Sequence, residues 1–165
     1  MEEKEGMIYR SMGVSPIINA AGPISKYGGG RYRPEVVEAM TEAFRVPVQI
    51  DELNIQAGKK IAHMLGVESA FVSSGAAGGL VLQAAACIAG TDEAKMRRLP
   101  DSTGMKNEVV MQMCQRFSYD QSYLVGGARI VEAGKSGSCS IEELEAVFSE
   151  RTAAAAYLFA GHSCK

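Results

Sequence analysis

Two short stretches carry residue types and spacings suited to chemistry. Ser73-Ser74-Gly75-Ala76-Ala77 follows the apolar run Ala70-Phe71-Val72 and opens a long stretch of small residues. Free N–H groups at a helix start, the helix dipole and a serine hydroxyl together suit a phosphate, and small residues let it reach the backbone. A close-packed turn between a strand and a helix uses the same residue types, and pattern alone leaves both readings open. The stretch is neither a GxxxxGK[ST] loop nor GxGxxG, so it is not a common nucleotide loop. The second stretch, Gln115-Arg116-Phe117-Ser118-Tyr119-Asp120, follows the apolar run Glu108–Met113. An arginine, two aromatic rings and a carboxylate beyond the carboxyl end of a strand could bind an aromatic, charged ligand. A loop with a surface arginine and packed rings is the alternative. Arg31 and Arg33 follow the glycine run Gly28–Gly30 and could reach an anion or form a solvated basic arm.

These residues need elements to position them. Pro34 suits the first turn of a helix over 34–45, with Val37, Met40 and Phe44 at helical spacing and Pro47 as its end. Asp51 is a candidate N-cap for a second helix with Leu53, Ala57, Ile61 and Met64/Leu65 on one face, closed by Gly66. Ser69–Ser73 reads as a short strand. The helix that follows, Gly75 to Ala89, is apolar nearly all round and is expected to be buried. Residues 91–106 form a polar connection. Glu108–Met113 and Ala128–Ala133 read as strands, separated by a loop and a short helix within 115–127. Ser140 and Glu143 form a capping box for a helix over 141–150, with Ile141, Leu144, Val147 and Phe148 as its buried face. Thr152–Ala160 is a fourth strand. This alternation predicts an α/β fold with a mostly parallel sheet.

The 165 residues suffice for a real core, and 47% hydrophobic with 22% charged content is ordinary for a globular protein. A net charge of −2 offers no global electrostatic case for nucleic acid. The start, MEEKEG, lacks the apolar stretch of a signal peptide, and no apolar run is long enough to span a bilayer. The expected compartment is the cytoplasm. Cys87, Cys114, Cys139 and Cys164 form no CxxC pair, and only His63 and His162 could complete a metal site. The cysteines are expected to be ordinary buried thiols, His63 a surface or satisfied helix histidine, and no metal is expected.

Four stretches occur in family order: INAAGPISKYGGGRYRPEVVEAM, HMLGVESAFVSSGAAGGLVLQAAACIAGTD, KNEVVMQMCQRFSYDQSYLVGGARIVEAG and IEELEAVFSERTAAAAYLF. Together they resemble the bacterial selenocysteine synthase (L-seryl-tRNA(Sec) selenium transferase) family of pyridoxal 5'-phosphate enzymes. LPDSTGMKNEV and QRFSYD resemble more closely its D-glucosaminate-6-phosphate ammonia-lyase-like branch. The resemblance implies an aspartate-aminotransferase-type (fold type I) large domain. It assigns the cofactor phosphate to Ser74, Gly75, Ala76 and Ala77. Gln115, Arg116 and Phe117 fall in the region beside the pyridine ring and substrate. Asn19 and the arm Tyr27–Arg31 match a segment that contributes to an active site in such dimers, which implies a homo-oligomer. Arg31 and Arg116 would suit a substrate phosphate or carboxylate. Residues 1–48 would then be an N-terminal arm and helix, and 49–165 the N-terminal part of the cofactor-binding domain.

The chain departs from the family in one respect. Such chemistry needs a Schiff-base lysine and an aspartate at the pyridine nitrogen, and both fall on later strands of the family fold. Lys165 follows a strand but sits too early, while Lys26, Lys59, Lys60, Lys95, Lys106 and Lys135 read as surface residues. The chain is therefore expected to be the N-terminal half of an enzyme, as a fragment, a truncated product or a split subunit, and inactive alone. The strand at 69–73 would pair with a strand of the missing half, while the other three pair among themselves. That leaves an unpaired edge and an unstable or associating chain. The implied activity is a lyase using α-proton abstraction and elimination on a small, phosphorylated amino acid or amino-sugar acid. Selenium transfer on seryl-tRNA and a catalytically inactive remnant or partner subunit are the alternatives.

Overall fold

The computed structural model describes residues 6–159, and its contacts divide the chain into two units, Met1–Leu53 and Asn54–Lys165. The first unit holds helix α1 (Met7–Ser11), a 3-10 turn at Ser25–Tyr27 and helix α2 (Pro34–Ala43). Pro34 starts α2 as expected, because its missing N–H costs nothing in a first turn. The helix buries no residue, and Phe44 beyond its end is 86% exposed. The apolar stripe Val37–Met40–Phe44 is therefore uncovered. Helix α1 was not expected from the sequence, because five residues are too few to show a period.

Helix α3 (Ile50–Leu65) spans the division between the units. Asp51 lies inside its first turn rather than at the cap, and Gly66 follows with φ +66°. Its buried residues are Gly58 and Ala62, not the predicted face of Leu53, Ala57, Ile61 and Met64/Leu65. The reason is a close approach: a Cβ on Gly58 would overlap the carbonyl oxygen of Ala70. Small residues let the helix sit directly on the backbone of the 69–73 segment.

The second unit is built on three parallel strands, β1 (Glu108–Gln112), β2 (Arg129–Ala133) and β3 (Thr152–Ala156), in the order β2-β1-β3. Val110 lies opposite Val131 on one side and Ala155 on the other. The central strand buries Glu108 through Met111, as a strand with neighbours on both sides does. The buried carboxylate of Glu108 is held by Arg151 at 3.3 Å and by the Ser149 hydroxyl, which donates at 2.8 Å. Helix α4 (Ala76–Ala89) covers the sheet together with α6 (Gln121–Val125). Ala84, Ile88, Met105, Val109, Met111, Tyr123 and Ala128 form the core.

Several expectations are corrected. Residues 69–73 form no strand, since a strand needs a neighbour to bond and, among the described strands, β2 and β3 pair only with β1 and none pairs with this segment. Helix α4 is not buried all round: only Ala84, Ile88 and Ala89 are buried, and Leu82 is exposed. The polar connection contains helix α5 (Glu93–Arg98), capped by Asp92, whose side chain accepts from Ala94 N–H and Lys95 N–H. Helix α7 (Ile141–Glu145) has both halves of the predicted capping box but is five residues long, and Ile141 and Phe148 stay exposed. Cys87 is an exposed free thiol, Cys139 is half-buried and free, and Cys114 is disulfide-bonded, so the expectation of ordinary buried thiols fails. Cys164, His162 and Lys165 lie outside the described residues.

Candidate active site at the carboxyl ends of the strands

Ligands of open α/β sheets gather beyond the carboxyl ends of the strands, because the loops there are free of the ladder. In the second unit that end holds a cavity of about 470 Å³. Ser73, Gly75, Ala76 and Gly79 of the α4 start form one wall, Met111 and Phe117 a second, and Ala156, Tyr157 and Leu158 a third. Leu80, Gln83 and Tyr123 complete the lining.

The α4 wall carries a helix start that no side chain caps. Gly75 has φ 131° and ψ 179°, a backbone region that side chains disfavour. The first helical bond runs from Gly79 N–H to Gly75 carbonyl at 2.9 Å, and no side chain caps the start. The N–H groups of Ala76, Ala77 and Gly78 therefore precede the helical ladder. The Ser73 hydroxyl donates to the Gly75 carbonyl at 3.0 Å and braces the turn. A Cβ on Gly78 would meet Ser74 Oγ at 2.5 Å, so Ser74 lies back over the helix. Of the predicted phosphate residues, Gly75 and Ala76 line the cavity, while Ser74 and Ala77 stand beside it in the chain.

The loop after β1 is arranged differently from the expectation. Phe117 lines the cavity; Gln115 and Arg116 do not. Gln115 is buried, and its Oε1 accepts the Leu158 N–H at 2.9 Å. The Arg116 guanidinium donates to the carboxylates of Asp120 and Glu132. The hydrogen bond it donates to Asp120 raises the arginine above its ordinary value. One cation between two carboxylates leaves the cluster with a formal charge of −1, which does not attract an anion. Tyr123, a buried core residue, has its phenol pushed up by burial and then by the neighbouring Cys87 and Asp120.

The predicted arm residues come together within the first unit. Asn19, Tyr27 and Arg31 line a separate cavity of about 760 Å³ with Ile17, Ile18 and Gly29. The Asn19 amide is spent on its own loop: Nδ2 donates to the Gly22 and Gly29 carbonyls at 2.8 and 3.1 Å, and Oδ1 accepts from Ala21 N–H at 2.9 Å. It sets the loop that presents Tyr27 and Arg31.

Lys26, Lys59, Lys60, Lys95, Lys106 and Lys135 are exposed, and none lines the cavity at the carboxyl ends of the strands. Lys106 lines another cavity, with Asn107 and Arg151 near the amino ends of β1 and β3. Among the described residues no group of three or more His, Cys, Asp or Glu could hold a metal ion. Among the described residues no helix is long and apolar enough to cross a membrane. Sequence reasoning missed Gln83, Tyr123, Tyr157 and Leu158. None carried a signal in the sequence: Tyr157 and Leu158 lay within the strand expected over Thr152–Ala160, which ends at Ala156.

No family model matches the chain. It is 35% identical over 159 residues to D-glucosaminate-6-phosphate ammonia lyase of Salmonella typhimurium, covering 94% of this chain and 43% of that protein. It is 34% identical over 157 residues to 5'-C-glycyluridine monooxygenase-decarboxylase of a Streptomyces species, covering 92% of this chain and 39% of that one. Both relatives are enzymes, and the chain spans about two-fifths of their length. A solved structure of D-glucosaminate-6-phosphate ammonia-lyase superposes with a TM-score of 0.89 at 34% identity, over 96% of this chain and 44% of that chain. The expected fold, an incomplete aspartate-aminotransferase-type (fold type I) α/β large domain with a mostly parallel sheet, is the fold of this chain.

Proposed function

We propose that this chain is the N-terminal part of a pyridoxal 5'-phosphate-dependent lyase acting on a small, phosphorylated amino acid or amino-sugar acid. One observation carries the reading: the uncapped start of α4, with Gly75 at φ 131°, opens into a cavity walled by Phe117 at the carboxyl ends of the strands. The similarity to an enzyme named for ammonia elimination from D-glucosaminate-6-phosphate supports it.

The residues present fit the phosphate and the ring of the cofactor. Backbone N–H groups of Ala76, Ala77 and Gly78 would hold the phosphate with the helix dipole behind them. Phe117 would lie against the ring. When bound, the cofactor supplies an electron sink for the charge left on a carbon α to an amino group after its proton is removed. No described lysine lines the cavity, so covalent attachment needs a group from beyond residues 6–159, and the described residues alone are inactive. In the whole enzyme Arg31 would meet a substrate phosphate or carboxylate. We place the enzyme in the cytoplasm as a homo-oligomer with a small-molecule substrate.

Pyridoxine 5'-phosphate tests the cradle directly. It carries the same ring and phosphate with an alcohol for the aldehyde, so it cannot label surface lysines. Equilibrium dialysis against the chain is expected to give saturable binding that inorganic phosphate competes away. D-glucosaminate-6-phosphate with added cofactor is expected to yield no ammonia from the chain alone. Absence of saturable binding overturns the cofactor assignment. Tight, salt-sensitive tRNA binding by the chain would instead favour selenium transfer on seryl-tRNA.

A further inference from the structure

The loop leaving β1 is fastened on both sides of that strand. On the β3 side, Gln115 reaches the segment after the strand and accepts the Leu158 N–H at 2.9 Å. On the β2 side, Arg116 donates to Glu132 near the end of that strand and to the buried Asp120 further along its own loop. The strand order β2-β1-β3 makes these two fastenings point in opposite directions. The next residue, Phe117, faces the cavity, and its carbonyl accepts the Asp120 N–H at 3.2 Å. A loop tied on one side can swing toward the other; opposed ties remove that freedom.

We propose that Gln115 and Arg116 are positioning residues, opposed latches to β3 and β2 that hold Phe117 as the aromatic wall of the cavity. The identity of the ligand rests on the function proposed above; the latches themselves do not. The two differ in kind. The Arg116–Glu132 pair is about two-fifths exposed and ionic, so salt weakens it. The Gln115 bond is neutral and part-buried, so salt leaves it intact.

Amide hydrogen exchange and dialysis against pyridoxine 5'-phosphate and inorganic phosphate test this on the full chain. Gln115→Met keeps the length and removes the acceptor. It is expected to speed exchange about tenfold both at Leu158 and across 116–119, the effect of losing one part-buried hydrogen bond. It should weaken pyridoxine 5'-phosphate, which needs the wall, while inorganic phosphate, which needs only the α4 start, keeps its affinity. Gln115→Glu retains an acceptor and should restore the wild-type pattern. Arg116→Met, or Glu132→Gln should the first fail to fold, is expected to open 116–120 without exposing Leu158. High salt should reproduce that second pattern in the wild type. Exchange at 116–119 and ring-ligand affinity unchanged in Gln115→Met would overturn the proposal. If wild type binds neither probe, the cofactor reading fails and the exchange pattern alone decides the latches.

Discussion

Asn54 satisfies both backbone polar groups of Val72: its Nδ2 donates to the Val72 carbonyl at 3.3 Å and its Oδ1 accepts the Val72 N–H at 3.4 Å. A helix side chain thus stands where a neighbouring strand would bond. Asn54→Ala is expected to lose about 1 kcal/mol of stability and to raise exchange at the Val72 amide. Urea unfolding and hydrogen exchange read the two effects.

Gly58→Ala should be harsher than its size suggests. The new Cβ would overlap the Ala70 carbonyl oxygen, a backbone atom that cannot rotate away. The expected cost is about 1–3 kcal/mol, seen as a lower urea midpoint with an unchanged slope.

Gly75→Ala places a side chain at φ 131°. The expected strain is about 1–3 kcal/mol, and phosphate affinity should fall because the α4 start must move. Dialysis against inorganic phosphate separates this from simple unfolding, which circular dichroism reports.

Ser140→Ala removes the oxygen that accepts Glu143 N–H at 3.1 Å. A lost cap costs about 0.5–2 kcal/mol. The effect should appear in urea unfolding and leave phosphate affinity untouched, since α7 contributes nothing to the cavity lining.

Burial raises the Tyr123 phenol above its ordinary value, and the folded state therefore disfavours the phenolate. Between the unfolded value, about 10, and the raised folded value, the folded chain binds more protons. The stability contribution is full below pH 10 and is lost as pH rises through the folded value. Tyr123→Phe should flatten the alkaline fall in melting temperature; an unchanged alkaline profile would mean that another group governs it.

The uncovered apolar surface predicts self-association. Phe44 is 86% exposed and Phe71 67% exposed. Elution volume should depend on protein concentration. A sharp, concentration-independent monomeric melt would contradict this.

Local chemistry was legible in the sequence wherever neighbours along the chain decide the outcome. Pro34 at a helix start, the Ser140–Glu143 box and the apolar run that became β1 all appear as read. The turn Ser73–Ala77 also lies at a helix start, because small residues and a glycine at positive φ permit little else. Tertiary structure decided what depends on partners distant in sequence. Whether 69–73 becomes a strand is set by the presence of a neighbouring strand, not by its β-branched or aromatic content. Which face of α3 is buried followed from Gly58 meeting Ala70, a contact invisible to a hydrophobic period. Arg116 reads as an anion ligand in isolation, and only the fold brings Glu132, sixteen residues away, against its charge. Gln115 likewise found its acceptor's use 43 residues on, at Leu158. Hydrogen bonds and ion pairs across strands depend on register and strand order, and those are properties of the assembled sheet.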